Sequence, residues 1–539
     1  MRAILLAIAI ALIDANHASA QPTADAKARL GPVHFATSCS PAVQPLFNTA
    51  VTELHSFAFP AAISHFSAVL QQDPKCAIAE WGIALSEWGN PFVAGAKSAA
   101  QLQRGLAAVQ RARNIGAAIP RERDYINAIA RLYEHTDSLG QRQRVLAYRD
   151  ALAALSASAP TDTEAMIFHA LAQAEATDPT DKTYTQQLAA GATLERLFAV
   201  MPDHPGLAHY IIHAYDVPAL AKRGVAAANR YAAIAPDVSH ALHMPSHIYT
   251  RLGTWQASIT ANRAAAAAAS REGATAQQLH ASDYQVYAYL QLGQFRSAQR
   301  IVSEVPGIAA QLDPTRLATG APPAAGFYAI AAIPARYALE RGDWAAASIM
   351  TEITGPNPQA NAMTQFARAL GAARIRDTAL ARRALAELER LRDTLTALRE
   401  PYWREQVEIQ RLAATAWLQL AVDKPDDALV TMRSAADRED ATEKDVVSPG
   451  PLAPARELLG EMLLALHQPV AALAAFESTL KREPNRRRAL AGAAAAADAG
   501  RNEDARVSYR RQLRSLCVHA DPVVTAGART TKACAAPLL

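Results

Sequence analysis

Apolar residues recur along most of this chain with the period of an α-helix, and the helical stretches are cut at one kind of place. Leu252-Gly253-Thr254-Trp255, Leu292-Gly293-Gln294-Phe295, Arg341-Gly342-Asp343-Trp344 and Ala499-Gly500-Arg501 each follow one apolar-periodic stretch and precede another. Glycine stops a helix and makes the tight turn. The aromatic residue two positions on then packs the second helix down. A proline closes many of the units: Pro74, Pro160, Pro202, Pro236 and Pro484. One such helix pair cannot bury its apolar stripe alone, so the pattern predicts stacked pairs with a continuous core.

Composition sharpens this picture. Half the residues are hydrophobic, with alanine foremost, and only 6% are aromatic, which favours closely packed helices. At 539 residues the chain is too long for one ordinary core, a difficulty that a repeat array removes. The net charge of +4 is spread along the chain, with no basic stripe to suggest nucleic acid.

The repeated unit resembles the tetratricopeptide repeat (TPR), a pair of antiparallel helices of about 34 residues. With Pro74 counted as repeat position 32, Ala62 and Phe66 fall on the small and aromatic slots at positions 20 and 24; from Pro484, Leu459-Gly460, Ala472 and Phe476 fall at 7–8, 20 and 24. Tyr215, Tyr249 and Tyr289 fall at position 11, while Ser258 and Gly224 replace alanine at position 20. The resemblance covers most of residues 41–515. It implies an all-α superhelical solenoid whose first helices line a concave groove, and it implies binding of a protein, a peptide or a small molecule there. Residues 304–326 are rich in Pro, Gly and Ala and read as a long loop able to fold over the groove; 435–453, charged and then Pro-rich, reads as a surface loop. Residues 516–539 form a tail without repeat signature.

The first residues, MRAILLAIAIALIDANHASA, combine a basic residue, a short apolar run and Ala18-Ser19-Ala20. This is the pattern of a secretory signal peptide, so 1–20 is expected to be removed, leaving an N-terminal extension at 21–40 of an exported, periplasmic or secreted protein. No later segment qualifies as a membrane span. In an oxidising compartment the four cysteines are expected as disulfides, and Cys39–Cys76 with Cys517–Cys534 is the most local of three connectivities.

The chemistry concentrates in residues 204–290. In SHALHMPSHIYTRLGTW, His240, His243 and His247 stand at i, i+3 and i+7, one face of a helix, and occupy repeat positions 2, 5 and 9 when Gly253 is position 15. In that family these positions point into the groove. His209 and His213 take positions 5 and 9 of the preceding repeat, and His280, Asp283 and Tyr287 take 2, 5 and 9 of the following one. Imidazoles at i, i+4 on neighbouring helices suit a transition metal. The expected ligands are His209, His213, His243 and His247, with Asp283 as ligand or as support, for Zn, Cu, Ni or Fe. An open position would permit hydrolytic or oxidative catalysis. The rival is a metal-free ligand groove lined by Trp81, Trp88, His240, His280, Tyr287 and Arg336, the last able to hold a carboxylate. A third alternative is a cluster that only packs.

Elsewhere, Glu457 and Glu461 share the groove positions and read as a solvated pair or a far-wall ligand. His34 reaches the site only if the N-terminal segment crosses the groove. His169 reads as core, and Arg486, Arg487 and Arg488 read as a solvated face. No familiar enzyme motif stands in a fitting context.

Overall fold

The computed structural model describes residues 28–317, 319–524 and 530–532. Within them, 25 α-helices and two short 3-10 helices follow one another. The only strands described are Pro522–Val524 and Thr530–Lys532, paired antiparallel. Helices pack on their sequence neighbours throughout: Gln44–His55 on Phe59–Gln72, Trp255–Arg271 on Thr275–Gln291, Pro401–Ala421 on Pro425–Ala441, Ala455–Ala465 on Pro469–Arg482. This is the TPR-like α-solenoid expected from the sequence. No helix of the described residues is long and apolar enough to cross a membrane. The proposed signal peptide lies outside the described residues.

Two large cores run along the array, one from Phe35 to Ile248 and one from Ala321 to Ala496. The winding also brings its end against its middle. Gly253, in a left-handed turn at φ +65°, lies against the carbonyl of Pro484, where a Cβ would come within 2.0 Å of the oxygen. Trp255 Nε1 donates to Asn485 O at 2.9 Å, and the Arg487 amide donates to Gln291 Oε1 at 2.9 Å. The array thus closes on itself at this point.

The two interruptions differ from their sequence reading for the same reason. Helix Phe295–Ala309 continues through Pro306 and the next helix begins at Pro323, so the loop is shorter than 304–326 at both ends. It folds inward: Gly320 N donates to Phe57 O at 2.9 Å, and Ala321 N to Gln277 Oε1 at 3.1 Å. Helix Pro425–Ala441 takes up the first part of the expected 435–453 surface loop, and the rest is interior. Glu443, Asp445, Val447, Ser448 and Leu452 are all buried. The charges in this stretch find partners inside, which is why a polar sequence is not a surface one here.

Burial also overturns the solvated reading of Arg486, Arg487 and Arg488. All three are buried. Arg486 pairs with Glu340 at 2.6 Å and Glu457 at 2.7 Å, and Arg488 with Glu461, which Arg374 also holds at 2.6 Å. Glu483 adds a fourth carboxylate, 3.4 Å from Arg486. Arg374, Arg486 and Arg488 thus form an ion-pair network with Glu340, Glu457, Glu461 and Glu483, so Glu457 and Glu461 are ion-pair partners rather than ligands, while the Arg487 guanidinium donates to the carbonyls of Leu290 and Glu340.

Of the cysteines, Cys39 and Cys76 are bonded to each other. No described cysteine is free, and Cys534 lies outside the described residues.

Candidate metal centre

Helix Pro205–Ala214 starts on a proline, and its inner face presents His209 and His213. The next inner helix runs Ser239–His243, passes Met244 in helical geometry and continues Pro245–Arg251. Pro245 supplies no N–H, so one backbone bond is lost, yet His240, His243 and His247 keep a common face. Helix Thr275–Gln291 brings His280. All six imidazoles are buried, none more than 8% exposed.

They form two groups of three, not one group of four. His209, His213 and His240 offer ring nitrogens that all lie within 4.8 Å of one another, and so do His243, His247 and His280. In the first group His209 Nε2 is 3.1 Å from both His213 Nε2 and His240 Nε2. In the second, His243 Nε2 and His247 Nε2 are 3.0 Å apart. The groups are adjacent, with ring centroids 6.1 Å apart for His213–His247 and 6.2 Å for His240–His243. His213, His240, His247 and His280 line one small cavity, closed by Asn90, Val93, Gly320, Ala321, Val446 and Val447. It has room for roughly one water-sized guest.

The outer nitrogens decide which tautomers are present. His209 Nδ1 donates to the His55 carbonyl at 2.6 Å. His243 Nδ1 donates to Asn262 Oδ1 at 2.6 Å, with the amide oriented by its own donation to Ser258 O at 2.8 Å. His247 Nδ1 donates to the Asp216 carboxylate at 2.8 Å. A carbonyl, an amide oxygen and a carboxylate accept only, so these three rings carry their proton on Nδ1 and a lone pair on Nε2. The 3.0 Å contact between His243 and His247 is thus between two lone pairs. Burial holds both imidazoles below their ordinary pKa, and within the first group burial and neighbouring imidazoles hold His209 well below. Protons therefore do not fill the gap near neutral pH.

Aromatic walls fix the rings. Phe57 stacks on His240 with centroids 5.5 Å apart, Phe92 stacks on His213 at 4.0 Å, and Tyr284 meets His243 edge-on at 4.9 Å. Gly320 seals the first group from the inward loop. Its φ is +63°, and a Cβ there would stand 2.2 Å from His240 Nδ1.

Asp283 sits apart from both groups. Its carboxylate accepts from Arg336 Nε at 3.1 Å, and Arg336 donates its other nitrogens to Gly450 O and Pro451 O. The carboxylate that supports the histidines is Asp216. Burial pushes it up, but Lys444 at 3.0 Å, Arg251 at 2.8 Å and His247 outweigh burial and hold it well below the usual range. Burial in turn lowers Lys444 to about 8 against the opposing pull of Asp216. Asp216 stood in the stretch HPGLAHYIIHAYD, three residues past His213, where a carboxylate just beyond a helix end was a readable signal. Asn262, His55 and Lys444 come from distant segments and carried none.

The remaining expected groove residues do not line an open channel. Trp81 packs among Phe35, Tyr125 and Phe168. Trp88 lies edge-on to Tyr133 and donates Nε1 to Glu175 at 2.8 Å. Tyr287 donates to Glu483 at 2.8 Å, and Arg336 is wholly buried. His34 is exposed, and His169 is only half-buried.

A third cluster, unforeseen in the sequence, unites His55, Glu164 and His204. Here the carboxylate lies between the rings: His55 Nε2 reaches Glu164 at 2.9 Å and His204 Nε2 reaches its other oxygen at 3.0 Å. Two N–H donors meet one acceptor group, so the contacts within this cluster are hydrogen bonds rather than lone pair against lone pair.

No family model and no curated protein matches the chain. Among solved structures it is similar to the human IFIT1 dimer with m7Gppp-AAAA, at 12% identity over 83% of this chain and 90% of that one, with a TM-score of 0.40. It is also similar to the APC/C hetero-tetramer Cut9–Hcn1 (12% identity, 88% of each chain, TM-score 0.36) and the P58(IPK) TPR domain (12%, 86% and 99%, TM-score 0.22). Likeness at this level bears on neither ligand nor activity.

Proposed function

We propose that the chain is a transition-metal-binding protein, with two three-histidine centres enclosed in a TPR-like solenoid. The observation that carries this reading is the pair of Nε2 lone pairs of His243 and His247, 3.0 Å apart, with both outer nitrogens committed as donors. Two lone pairs in contact repel, and a metal cation between them turns the repulsion into coordination. The outer partners do what such partners do at metal sites: they fix the tautomer and orient the ring. His209, His213 and His240 supply the first centre; His243, His247 and His280 supply the second.

Enclosure favours metal binding over the peptide-groove reading. Beside the histidines, residues 320–322, 446 and 447 of the chain itself leave a cavity with room for about one water. A substrate larger than a few atoms reaches the metal only if one of these segments moves. Export fits the same reading: the N-terminal residues have the signal-peptide pattern, and the Cys39–Cys76 disulfide suits an oxidising compartment.

The test is elemental analysis of protein purified without a histidine tag or chelator, beside an H243A/H247A variant. Near-stoichiometric transition metal, reduced in the variant, is the expected result. A wild type that is metal-free and takes up no zinc, copper, iron or nickel overturns the proposal. Sequencing the N-terminus of the periplasmic protein tests export, with Gln21 expected first.

A further inference from the structure

Resting on the metal-binding reading, we propose that the two centres hold a pair of copper(I) ions, one per histidine triad. The argument is one of charge and space. Every donor atom in both triads belongs to a neutral imidazole, so the ligands themselves offset none of the metal's charge.

The charged groups around the triads are already matched. Asp216 is shared by Arg251 and Lys444, Asp283 is held by Arg336, and Glu164 is engaged by His55 and His204. Asp445, next to Lys444, accepts the amide protons of Ala94 and Val447. These are three cations and four carboxylates, so the surroundings supply at most one spare negative charge. Two divalent ions would bury four positive charges against it. Two monovalent ions bury two, and their mutual repulsion at any given separation is one quarter as large, because Coulomb energy follows the product of the charges.

Space points the same way. Zinc completes four-coordination, with water or another ligand beside three histidines. The cavity between the triads has room for about one water, and apart from Asn90 and the imidazoles its walls are Val93, Ala321, Pro322, Ala325, Val446, Val447 and glycine. Two hydrated divalent ions would find neither room nor hydrogen-bond partners there. Copper(I) is content with three nitrogen ligands and needs no water. Imidazole is also among the ligands that suit copper.

The experiment is an anaerobic titration of the purified, metal-stripped full chain with copper(I) against a colorimetric copper(I) chelator. X-ray absorption of the loaded protein accompanies it, and a parallel titration uses zinc. We expect uptake of two copper(I) per chain, an edge characteristic of three-coordinate copper(I) with nitrogen ligands only, and no displacement by a tenfold excess of zinc. H209N and H280N should each reduce the stoichiometry from two to one, because they lie in different triads. If neither variant folds, the wild-type stoichiometry and X-ray spectrum still decide. Uptake of zinc in preference to copper(I), four-coordinate metal, or one ion shared by both triads overturns the copper pair while leaving a metal centre. Uptake of no metal at all removes the reading beneath it as well.

Discussion

Replacing Gly320 by alanine should remove one metal centre and weaken the fold, because one methyl group is asked to occupy the place of a ligand ring. Two costs add. The residue sits at φ +63°, a left-handed conformation that costs an L-residue about 1–2 kcal/mol. The new Cβ would then lie 2.2 Å from His240 Nδ1 and 2.4 Å from Cγ, more than 1 Å inside ordinary contact. The imidazole cannot simply retreat: Phe57 stacks on it with centroids 5.5 Å apart, and His209 lies edge-on at 5.0 Å. Nor is the loop free, since Gly320 N is bonded to Phe57 O and its carbonyl accepts from Asn90 Nδ2 at 3.0 Å. Overpacking at a site of this kind costs about 1–3 kcal/mol. The sum is a loss of about 2–5 kcal/mol, and His240 is displaced from the first triad. Urea unfolding followed by circular dichroism measures the stability, and copper(I) titration measures the centres. The expected variant unfolds at lower urea and binds one equivalent fewer. Gly307, on helix Phe295–Ala309 with nothing within 4 Å of its added Cβ, is the control, and its alanine variant should be neutral or slightly stabilised. G320A with wild-type stability and both centres intact would refute the claim that this loop packs on the ligand ring.

Other perturbations separate the parts of the argument. N262L removes the acceptor that fixes the His243 tautomer without touching a ligand; metal affinity of the second centre should fall about 10–100-fold in competition titrations, with the first centre unaltered. R486M leaves Glu340 and Glu457 buried without the cation between them and should cost about 3–5 kcal/mol in urea unfolding, of which R486M/E340Q/E457Q should regain at least half; equal losses would show that packing, not charge, is at stake. Asp445 is raised by burial to about 6 from 3.8, so the folded state binds more protons between those values and stability falls as pH rises through that window. Charging it costs about 3 kcal/mol at 1.36 kcal/mol per unit, and D445N, relative to wild type, should therefore gain about that much more at pH 7 than below pH 3.8. A stability difference independent of pH would remove the assignment.

What could be read from the sequence was what is local. A helix period, a glycine turn and a histidine at the same place in successive repeats are visible within a few residues, and they yielded the solenoid and the inward face of His209, His213, His240, His243, His247 and His280. The grouping into two triads was not visible, because it depends on how far neighbouring helices rotate and how tightly the array closes. Nor was the environment. The His55 carbonyl that orients His209 is 154 residues away, and Lys444 meets Asp216 across 228. The stretch holding Lys444 and Asp445, like Arg486 to Arg488, has the composition of a solvated surface; only the winding that buries Glu340, Glu457 and Asp216 beside these charges makes the interior their place. Asp283 shows the converse error: its repeat position aims it inward, and Arg336 on the next inner helix claims it.

The contrast among the buried polar clusters gives the histidines their meaning. A buried charge or donor is costly unless matched. Arg374, Arg486 and Arg488 are paired with Glu340, Glu457, Glu461 and Glu483. His55 and His204 flank the two oxygens of Glu164, each at hydrogen-bonding distance. A structural histidine cluster on this pattern would place an acceptor beside each N–H. For His209, His243 and His247 the pattern is reversed. Acceptors stand on the outside, at His55 O, Asn262 and Asp216, and they strip the inner nitrogens of protons just where those nitrogens meet. The Nδ1 atoms of His213, His240 and His280 meet no hydrogen-bond partner, so no outer acceptor sets the tautomer of these three rings. Six buried imidazoles lie between aromatic walls and a glycine that admits no side chain, and where His243 meets His247 two bare nitrogens face each other, a contact that no hydrogen bond satisfies and a cation would.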